Sequence, residues 1–380
     1  MAIWKQYTVG DLCASISDTY HRNDDEVILI NTSDVLEGKI LNHEKVENKN
    51  LKGQFKKTFQ KDDILYSEIR PANKRYAYVD FSETEKYIAS TKLMVLRPNP
   101  DLVYSRFLFA FLTSSSVLSE LQHLAETRSG TFPQITFSSE LAPMPIMVPD
   151  FDTQEKIIKL HDSIDKALQN NNEMNALLLQ QAQAIFKERF LSKTSLPSSW
   201  RILTLNDVSD MGAGGDKPSV VSEKRTEECK YPIYSNGIDA EGLYGYTSNY
   251  KINQESVTVS ARGTIGFVCL RHVPYTPIVR LITLIPHLDM ISAKYLYLWL
   301  KNIPIKGTGT TQQQLTVPDF RKTEIIVPTI DEMTMFTRLV DPLFQQVWAN
   351  QDENEKLSGL RDTLLPRVLS GEVDVSGIQL

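Results

Sequence analysis

Cysteine, histidine and long apolar runs are all scarce in this 380-residue chain, and each shortage excludes a class of function. Its three cysteines, Cys13, Cys229 and Cys269, are far apart, odd in number and never in a Cys-x-x-Cys pair. That excludes a disulfide framework and fits a reduced, cytoplasmic protein. The six histidines are scattered without ligand spacing, so no structural metal is expected. No stretch approaches the roughly 20 apolar residues of a membrane span. The opening Met-Ala-Ile-Trp-Lys-Gln lacks the basic and apolar regions of a secretory signal. Neither a membrane partner nor export is expected.

An excess of positive charge is missing too. The formal net charge is −6, whereas a phosphate-binding surface is normally basic. The acid is unevenly spread. Residues 330–380 carry 4 basic and 9 acidic side chains, while residues 194–329 carry 14 basic and 12 acidic. Basic runs survive at residues 49–61, with Lys52, Lys56, Lys57 and Lys61, and at residues 70–75. An acidic chain of this kind can bind nucleic acid if partner subunits complete the cationic surface.

What the chain does have is a repeat. Trp4-Lys-Gln-Tyr-Thr-Val-Gly-Asp-Leu12 matches Trp200-Arg-Ile-Leu-Thr-Leu-Asn-Asp-Val208. Asp101-Leu-Val-Tyr-Ser-Arg-Phe-Leu-Phe-Ala-Phe111 matches Asp289-Met-Ile-Ser-Ala-Lys-Tyr-Leu-Tyr-Leu-Trp299. Gln134-Ile-Thr136 parallels Gln314-Leu-Thr316, and Ile146-Met-Val-Pro149 parallels Ile325-Ile-Val-Pro328. A period this long points to two copies of one structural unit. Each copy mixes strand-like segments (256–260 and 278–285 in the second) with one amphipathic helix, near 105–113 and 293–301.

Each copy also ends in a long helix, about 153–191 and 332–369. Asp152 and Asp331 are the expected N-caps, the first with the reciprocal Glu155 of a capping box and the second without one. Seven-residue periodicity runs through both. One seam reads Ile157, Ile164, Asn171, Leu178, Ile185, and 179 residues later Phe336, Leu343, Asn350, Leu357, Leu364. The other reads His161, Leu168, Asn175, Ala182, and then Val340, Val347, Asn354, Arg361. Sustained heptads predict a coiled coil. Polar seam residues fix register, and midpoints are where two equivalent antiparallel helices meet. Asn171, Asn175, Asn350 and Asn354 are therefore the expected register residues.

The order of sequence blocks resembles the specificity subunits of type I restriction–modification systems over essentially the full length. In the second copy the blocks are Tyr231-Pro-Ile-Tyr-Ser-Asn-Gly237, Val257-Thr-Val-Ser-Ala-Arg-Gly-Thr-Ile-Gly266, Gly309-Thr-Thr-Gln-Gln-Gln-Leu315 and Ile325-Ile-Val-Pro328. The first copy has divergent counterparts: Ile64-Leu-Tyr-Ser-Glu-Ile-Arg70-Pro, Ala89-Ser-Thr-Lys-Leu-Met-Val-Leu-Arg97-Pro and Ser129-Gly-Thr-Phe-Pro-Gln134-Ile. The closing Leu369-Ser-Gly-Glu-Val373 fits the same family. The implied fold is α+β, with two tandem α/β target recognition domains separated by two long helices packed as an antiparallel coiled coil, in a pseudo-two-fold repeat. The expected segments are a first recognition domain (1–150), a central helix (151–193), a second recognition domain (194–329) and a C-terminal helix with tail (330–380). The resemblance also implies partners: double-stranded DNA read as a bipartite asymmetric site, two modification (methyltransferase) subunits and restriction (motor-nuclease) subunits.

Catalytic patterns do not hold up. Asp341-Pro-Leu-Phe344 resembles an amino-methyltransferase motif but falls inside the second helix with no Gly-rich cofactor loop upstream. Gly212-Ala-Gly-Gly-Asp-Lys217 lacks the Gly-Lys-Ser/Thr ending of a P-loop, so no nucleotide cofactor is implied. Asp63 with Glu68-Ile-Arg70 is too short a match to a nuclease metal site. Candidate DNA contacts are better supported: Lys217, Arg262, Thr264, Gln312, Gln313 and Gln314 lie at Gly-flanked turns of the second copy. Arg70, Asn73, Lys74, Arg75 and Tyr76, with Arg128 and Gln134, form the matching set in the first. Arg suits guanine and Gln suits adenine, whereas the lysines of residues 49–61 suit phosphate. For each, a solvated surface role is the alternative. For the whole chain, the alternative is a coiled-coil scaffold of a phage-defence complex without DNA reading of its own.

Overall fold

A computed structural model describes residues 3–49, 51, 53–128, 132–307, 314–373 and 375. It divides into two compact units: Met1–Asn171 with Gln351–Leu380, and Asn172–Asn350. Both long helices run from one unit into the other, so each unit owns half of each helix.

The repeated Trp-led block opens both units in the same way. In the first, the Lys5–Thr8 strand pairs antiparallel with Pro145–Val148, and in the second Arg201–Thr204 pairs with Glu324–Val327. The chain then enters a one-turn helix, Val9–Leu12 or Leu205–Val208. The repeated Thr and Asp close each turn. The Thr8 amide donates to the Asp11 carboxylate at 2.8 Å, and the Thr204 amide to Asp207 at 2.8 Å. These bonds satisfy otherwise orphaned helix-start donors, and bonds from Thr8 and Thr204 hold both carboxyls below their ordinary pKa. The flanking Val9, Leu12, Leu205 and Val208 are fully buried, which accounts for the apolar positions of the motif.

Each unit then builds the same four-stranded antiparallel sheet. Its order is Cys13–Ile16, Leu93–Pro98, Ile64–Ser67, Tyr76–Tyr78 in the first unit. In the second it is Ser209–Ala213, Ile282–Pro286, Ser256–Val259, Val268–Arg271. The helix Ser105–Leu112, or Ala293–Lys301, contributes buried aromatic and aliphatic side chains to the core formed with that sheet. A second sheet carries one parallel pairing in each unit: Tyr87–Ser90 with Glu26–Ile30, and Tyr231–Tyr234 with Thr276–Pro277.

Two expectations change here. The first unit has a second helix, Ser115–Arg128, where one per unit was read. The strand expected over 278–285 is broken: Thr276–Pro277 and Ile282–Pro286 are separate strands, with Val279 and Arg280 left-handed between them (φ 52° and 61°).

The long helices are Phe151–Phe186, continued by a π-turn at Lys187–Leu191, and Ile330–Leu369. Their starts lie two residues earlier than read, and the caps move with them. Asp150, not Asp152, accepts from the Thr153 amide at 2.9 Å. In the second helix Thr329 and Glu332 form the reciprocal box that Asp331 would have lacked. There the Thr329 amide donates to Glu332 at 3.1 Å and the Glu332 amide to Thr329 Oγ1 at 3.3 Å.

Within each unit the helix halves pair antiparallel along the expected seam. Ile157 shares a core with Leu364, Leu365 and Val368 in the first unit. Ala182 and Phe186 share one with Phe336, Val340 and Phe344 in the second. No described helix is long and apolar enough to cross a membrane.

Candidate nucleic-acid interface

In the second unit the Ser256–Val259 strand runs out into a turn at Ala261–Gly263. Gly263 is left-handed (φ 68°) and a Cβ there would meet nothing within 4 Å, so the turn stands clear of the body. Arg262 and Thr264 are exposed on it. The Leu315 amide donates to the Ala261 carbonyl at 2.9 Å, which brings the segment carrying Gln314 alongside. Arg262 Nη2 then donates to Gln314 Oε1 at 3.1 Å. Three of the expected contacts therefore come together; Gln312 and Gln313 lie outside the described residues.

Lys217 is exposed and sits over the Tyr244 ring at 5.4 Å. Its loop is tied in through Gly214, whose amide donates to Leu281 and whose carbonyl accepts from Arg280 at 2.9 Å. The approach is so close that a Cβ on Gly214 would stand 2.7 Å from the Ile278 backbone. The Lys251 amine lies 3.2 Å from where a Cβ on Gly215 would stand. Sequence reading missed Lys251, Arg280 and Asn236, whose side chain bridges the Val279 and Ala261 backbones. Among the described residues Lys217, Lys251, Arg262 and Arg280 enter no ion pair.

The first unit has the same scaffold with different occupants. The Ile135 amide donates to the Glu68 carbonyl at 2.9 Å, as Leu315 does to Ala261. That register places Ile69 where the second unit has Arg262, and Arg70 where it has Gly263. Arg70 takes the same left-handed backbone (φ 45°), at a cost of order 1–3 kcal/mol that glycine escapes. A 3₁₀ turn, Pro71–Asn73, follows and ends on left-handed Lys74 (φ 52°). Arg70 and Asn73 are exposed, and Gln134 is half-buried beside Ile69, its backbone bridge partner.

The remaining members of that set are occupied. Lys74 pairs with Glu37 at 2.8 Å. Arg128 pairs with Glu140 at 2.9 Å, and Glu140 is itself held by the Thr136 amide at 2.6 Å. Arg75 donates to the Ser33 and Val35 carbonyls and so fastens a neighbouring loop. Tyr76 is a correction: strand alternation turns it into the core, 7% exposed and stacked on Tyr66, so it does not face DNA. Lys57 donates to the Leu93 carbonyl at 2.8 Å and burial lowers its pKa, which makes it structural. Lys56 and Lys61 are exposed, and Lys52 lies outside the described residues.

Asp63 is 1% exposed and takes Arg97 in a bidentate pair at 2.8 and 2.7 Å, so its oxygens are already committed. Asp341 lies within the C-terminal helix, 3.1 Å from the buried Lys294 amine. Burial pushes the Cys13 thiol up to about 12 and the Cys269 thiol to about 11. Among the described residues no group of three His, Cys, Asp or Glu side chains could hold a metal ion.

At the seam, Asn350 Nδ2 donates to Asn175 Oδ1 at 2.8 Å in the second unit, with both residues buried. In the first unit Asn171 Nδ2 donates to Asn354 Oδ1 at 3.0 Å and to Glu353 at 3.1 Å. The two amide layers are therefore related by the same repeat as the helices.

Comparison with known proteins agrees with this arrangement. The type I restriction modification DNA specificity domain matches twice, over residues 1–180 and 197–357. The HindI specificity subunit of Haemophilus influenzae is 31% identical, covering 98% of this chain and 100% of its own length. The MjaIX specificity subunit of Methanocaldococcus jannaschii is 25% identical over 72% of this chain and 70% of its own. Among solved structures, the fold resembles the type I restriction–modification S subunit from M. genitalium, with a TM-score of 0.57 and 17% identity over 99% of this chain and 97% of that one. It also resembles a chain from a structural study of assembly and conformational transition of the type I system, with a TM-score of 0.51 and 19% identity over 97% and 98%. With two matched domains that together span most of its length, this chain belongs to the specificity-subunit family of type I restriction–modification systems.

Proposed function

We propose that the chain reads a bipartite, asymmetric DNA site, one half-site per recognition unit (residues 1–150 and 194–329). In this reading it docks two modification subunits and the restriction subunits of its complex, and performs neither methylation nor cleavage alone. One observation carries it: the strand framework is repeated with the same order, while the residues at its loop edge are not. Arg262 is replaced by Ile69, Gly263 by Arg70, and the pairing of Gln314 with Arg262 has no counterpart among the described residues. A common frame with different edge chemistry is what two readers of unlike half-sites require.

Single-molecule methylation sequencing of a host with and without the gene tests this directly. Exchanging residues 200–328 for the matching unit of another specificity subunit should replace one half of the methylated motif and leave the other intact. If both halves changed, or neither did, two independent readers would be the wrong description. The acidic balance favours one rival, a coiled-coil scaffold that no longer reads DNA, and loss of no methylated motif on deletion would decide for it.

The helices (151–193 and 330–380) would set the spacer between half-sites. Because Asn175 meets Asn350, a heptad inserted after Leu178 needs a matching heptad after Val347 to keep the seam in phase. Such a paired insertion adds about 10 Å of helix, or roughly three base pairs. The spacer should lengthen while both half-site sequences persist.

A further inference from the structure

We infer that Arg280 is a specificity-determining contact to DNA bases in the second half-site, and that Asn236 positions it. This rests on the DNA-reading role proposed above. Val279 and Arg280 are consecutive left-handed residues, both exposed, at the tip between Thr276–Pro277 and Ile282–Pro286. A β-branched residue such as Val279 adopts this conformation only when its surroundings impose it. Here they do. The Val279 amide donates to the Gly215 carbonyl and the Arg280 amide to Gly214, both at 2.9 Å, and the Leu281 amide closes onto Ile278 at 3.0 Å. Asn236 Nδ2 donates to the Val279 carbonyl at 2.6 Å. The tip is thus over-determined by backbone bonds while its guanidinium is left unpaired among the described residues.

The other end of Asn236 links this tip to the Arg262 turn. Its Oδ1 accepts from the Ala261 amide at 2.7 Å, one residue before Arg262. One amide therefore ties together two turns that each present an arginine in no ion pair among the described residues, Arg262 bonded to Gln314 and Arg280 to no side chain. Lys217 and Lys251, flexible and exposed beside them, can meet phosphates without such constraint. An arginine carried on a backbone held in this way is suited to bidentate recognition of guanine, which lysine does not reproduce. The first unit differs at this place: sheet register, with Leu65 opposite Val95 and Thr258 opposite Thr283, puts Lys92 at the Arg280 position. There it pairs with Glu68 at 3.3 Å.

The test uses the chain assembled with its modification subunits. Methylation rates would be measured on the host-defined target and on every single-base variant of the half-site read by the second unit. Arg280→Ala and Arg280→Lys should each lose about 5- to 150-fold of discrimination at one base pair, with the first half-site unaffected. Asn236→Ala should blunt discrimination both there and at the base read by Arg262. Uniform weakening across all sequences, restored by Arg280→Lys, would make Arg280 a phosphate contact and overturn the inference. An unchanged motif and rate in both Arg280 variants would overturn it equally. If the unaltered complex methylates a bipartite motif whose second half follows residues 200–328, either result counts against Arg280 alone. If it does not, the proposed reading fails and this inference falls with it.

Discussion

The loop edges of the two units share a backbone plan and differ in what their cations do. In the second unit Lys217, Lys251, Arg262 and Arg280 meet no carboxylate among the described residues. In the first, Lys74, Lys92 and Arg128 are matched with Glu37, Glu68 and Glu140. Of the original candidates there, only Arg70 and Asn73 are exposed with no side-chain partner among the described residues. Net charge hides this contrast: counted by segment, the two halves differ by a few charges, but the distribution of partners decides which cations can meet phosphate. An acidic chain can still present one cationic edge when its acids are spent elsewhere.

The cores beneath those edges differ as well, and they give the largest expected effects. The second unit's seam is aromatic, with Phe186, Phe190, Tyr295 and Phe336 in edge-to-face or tilted contact at 5.0–6.1 Å. The corresponding place in the first is aliphatic, Ile157 against Leu365 and Val368. Phe336→Ala should cost about 3–5 kcal/mol, and Ile157→Ala about 2–5 kcal/mol with more scope for collapse around the smaller void. Chemical denaturation of both variants would show it. A cost below 1 kcal/mol at either site would mean that the seam does not stabilise its unit.

At the edge, Arg262→Ala should reduce discrimination by the second unit by about 1–3 kcal/mol if it contacts a base. Lys74→Ala and Arg128→Ala should each change DNA binding by less than about 1 kcal/mol, since their charge is already neutralised. Conversely, Glu37→Gln should free Lys74 and steepen the salt dependence of binding, by about one unit of slope if Lys74 then reaches a phosphate. Equal losses from Lys74→Ala and Arg262→Ala in titrations at several salt concentrations would erase the contrast between the edges.

Much of this is legible in the sequence alone, and what is not has physical reasons. The seam was readable because period-seven burial is local, so the four asparagines fell where the helices meet. The Thr-x-x-Asp turns were visible as repeated letters, though their role as helix starts was not read. Arg280 was invisible because Ile-Val-Arg-Leu-Ile-Thr-Leu-Ile reads as one uninterrupted strand. Its break is imposed from Gly214 and Gly215, more than 60 residues away, by contacts that local propensity cannot register. Tyr76 was misplaced for the opposite reason: it closes a basic cluster in sequence, but the pleat turns it inward.

The amide layers at the seam sharpen the comparison on a smaller scale. Asn175 and Asn350 are both buried and bond to each other at 2.8 Å, Asn350 also accepting from Gln346 at 2.7 Å on its own helix, while Asn171 in the first unit also reaches exposed Glu353. Asn350→Leu alone should cost about 1–3 kcal/mol by stranding Asn175. The double variant Asn175→Leu with Asn350→Leu should recover most of that loss while weakening control of register. A double variant no more stable than the single one would show that the pair is not coupled.

The smallest effects separate the two helix starts. Bonds led by the Thr153 amide hold the Asp150 carboxyl below its ordinary pKa. Burial pushes Glu332 up, but bonds from Thr329 and from the Trp200 indole, at 2.7 Å, outweigh it, so it too titrates low. A depressed folded-state pKa stabilises the fold above the unfolded value, near 4, and that contribution fades as pH falls through the folded value. Asp150→Ala should cost about 1 kcal/mol at pH 7, as an N-cap loss does. Glu332→Ala should cost somewhat more, about 1–2 kcal/mol, because the Trp200 N–H also loses its acceptor. Both penalties should shrink in melts near pH 3, where the parent has lost the same interactions. If Asp150→Asn, which keeps an N-cap acceptor, retained the full pH dependence of the parent, the acid sensitivity would have to come from other carboxylates.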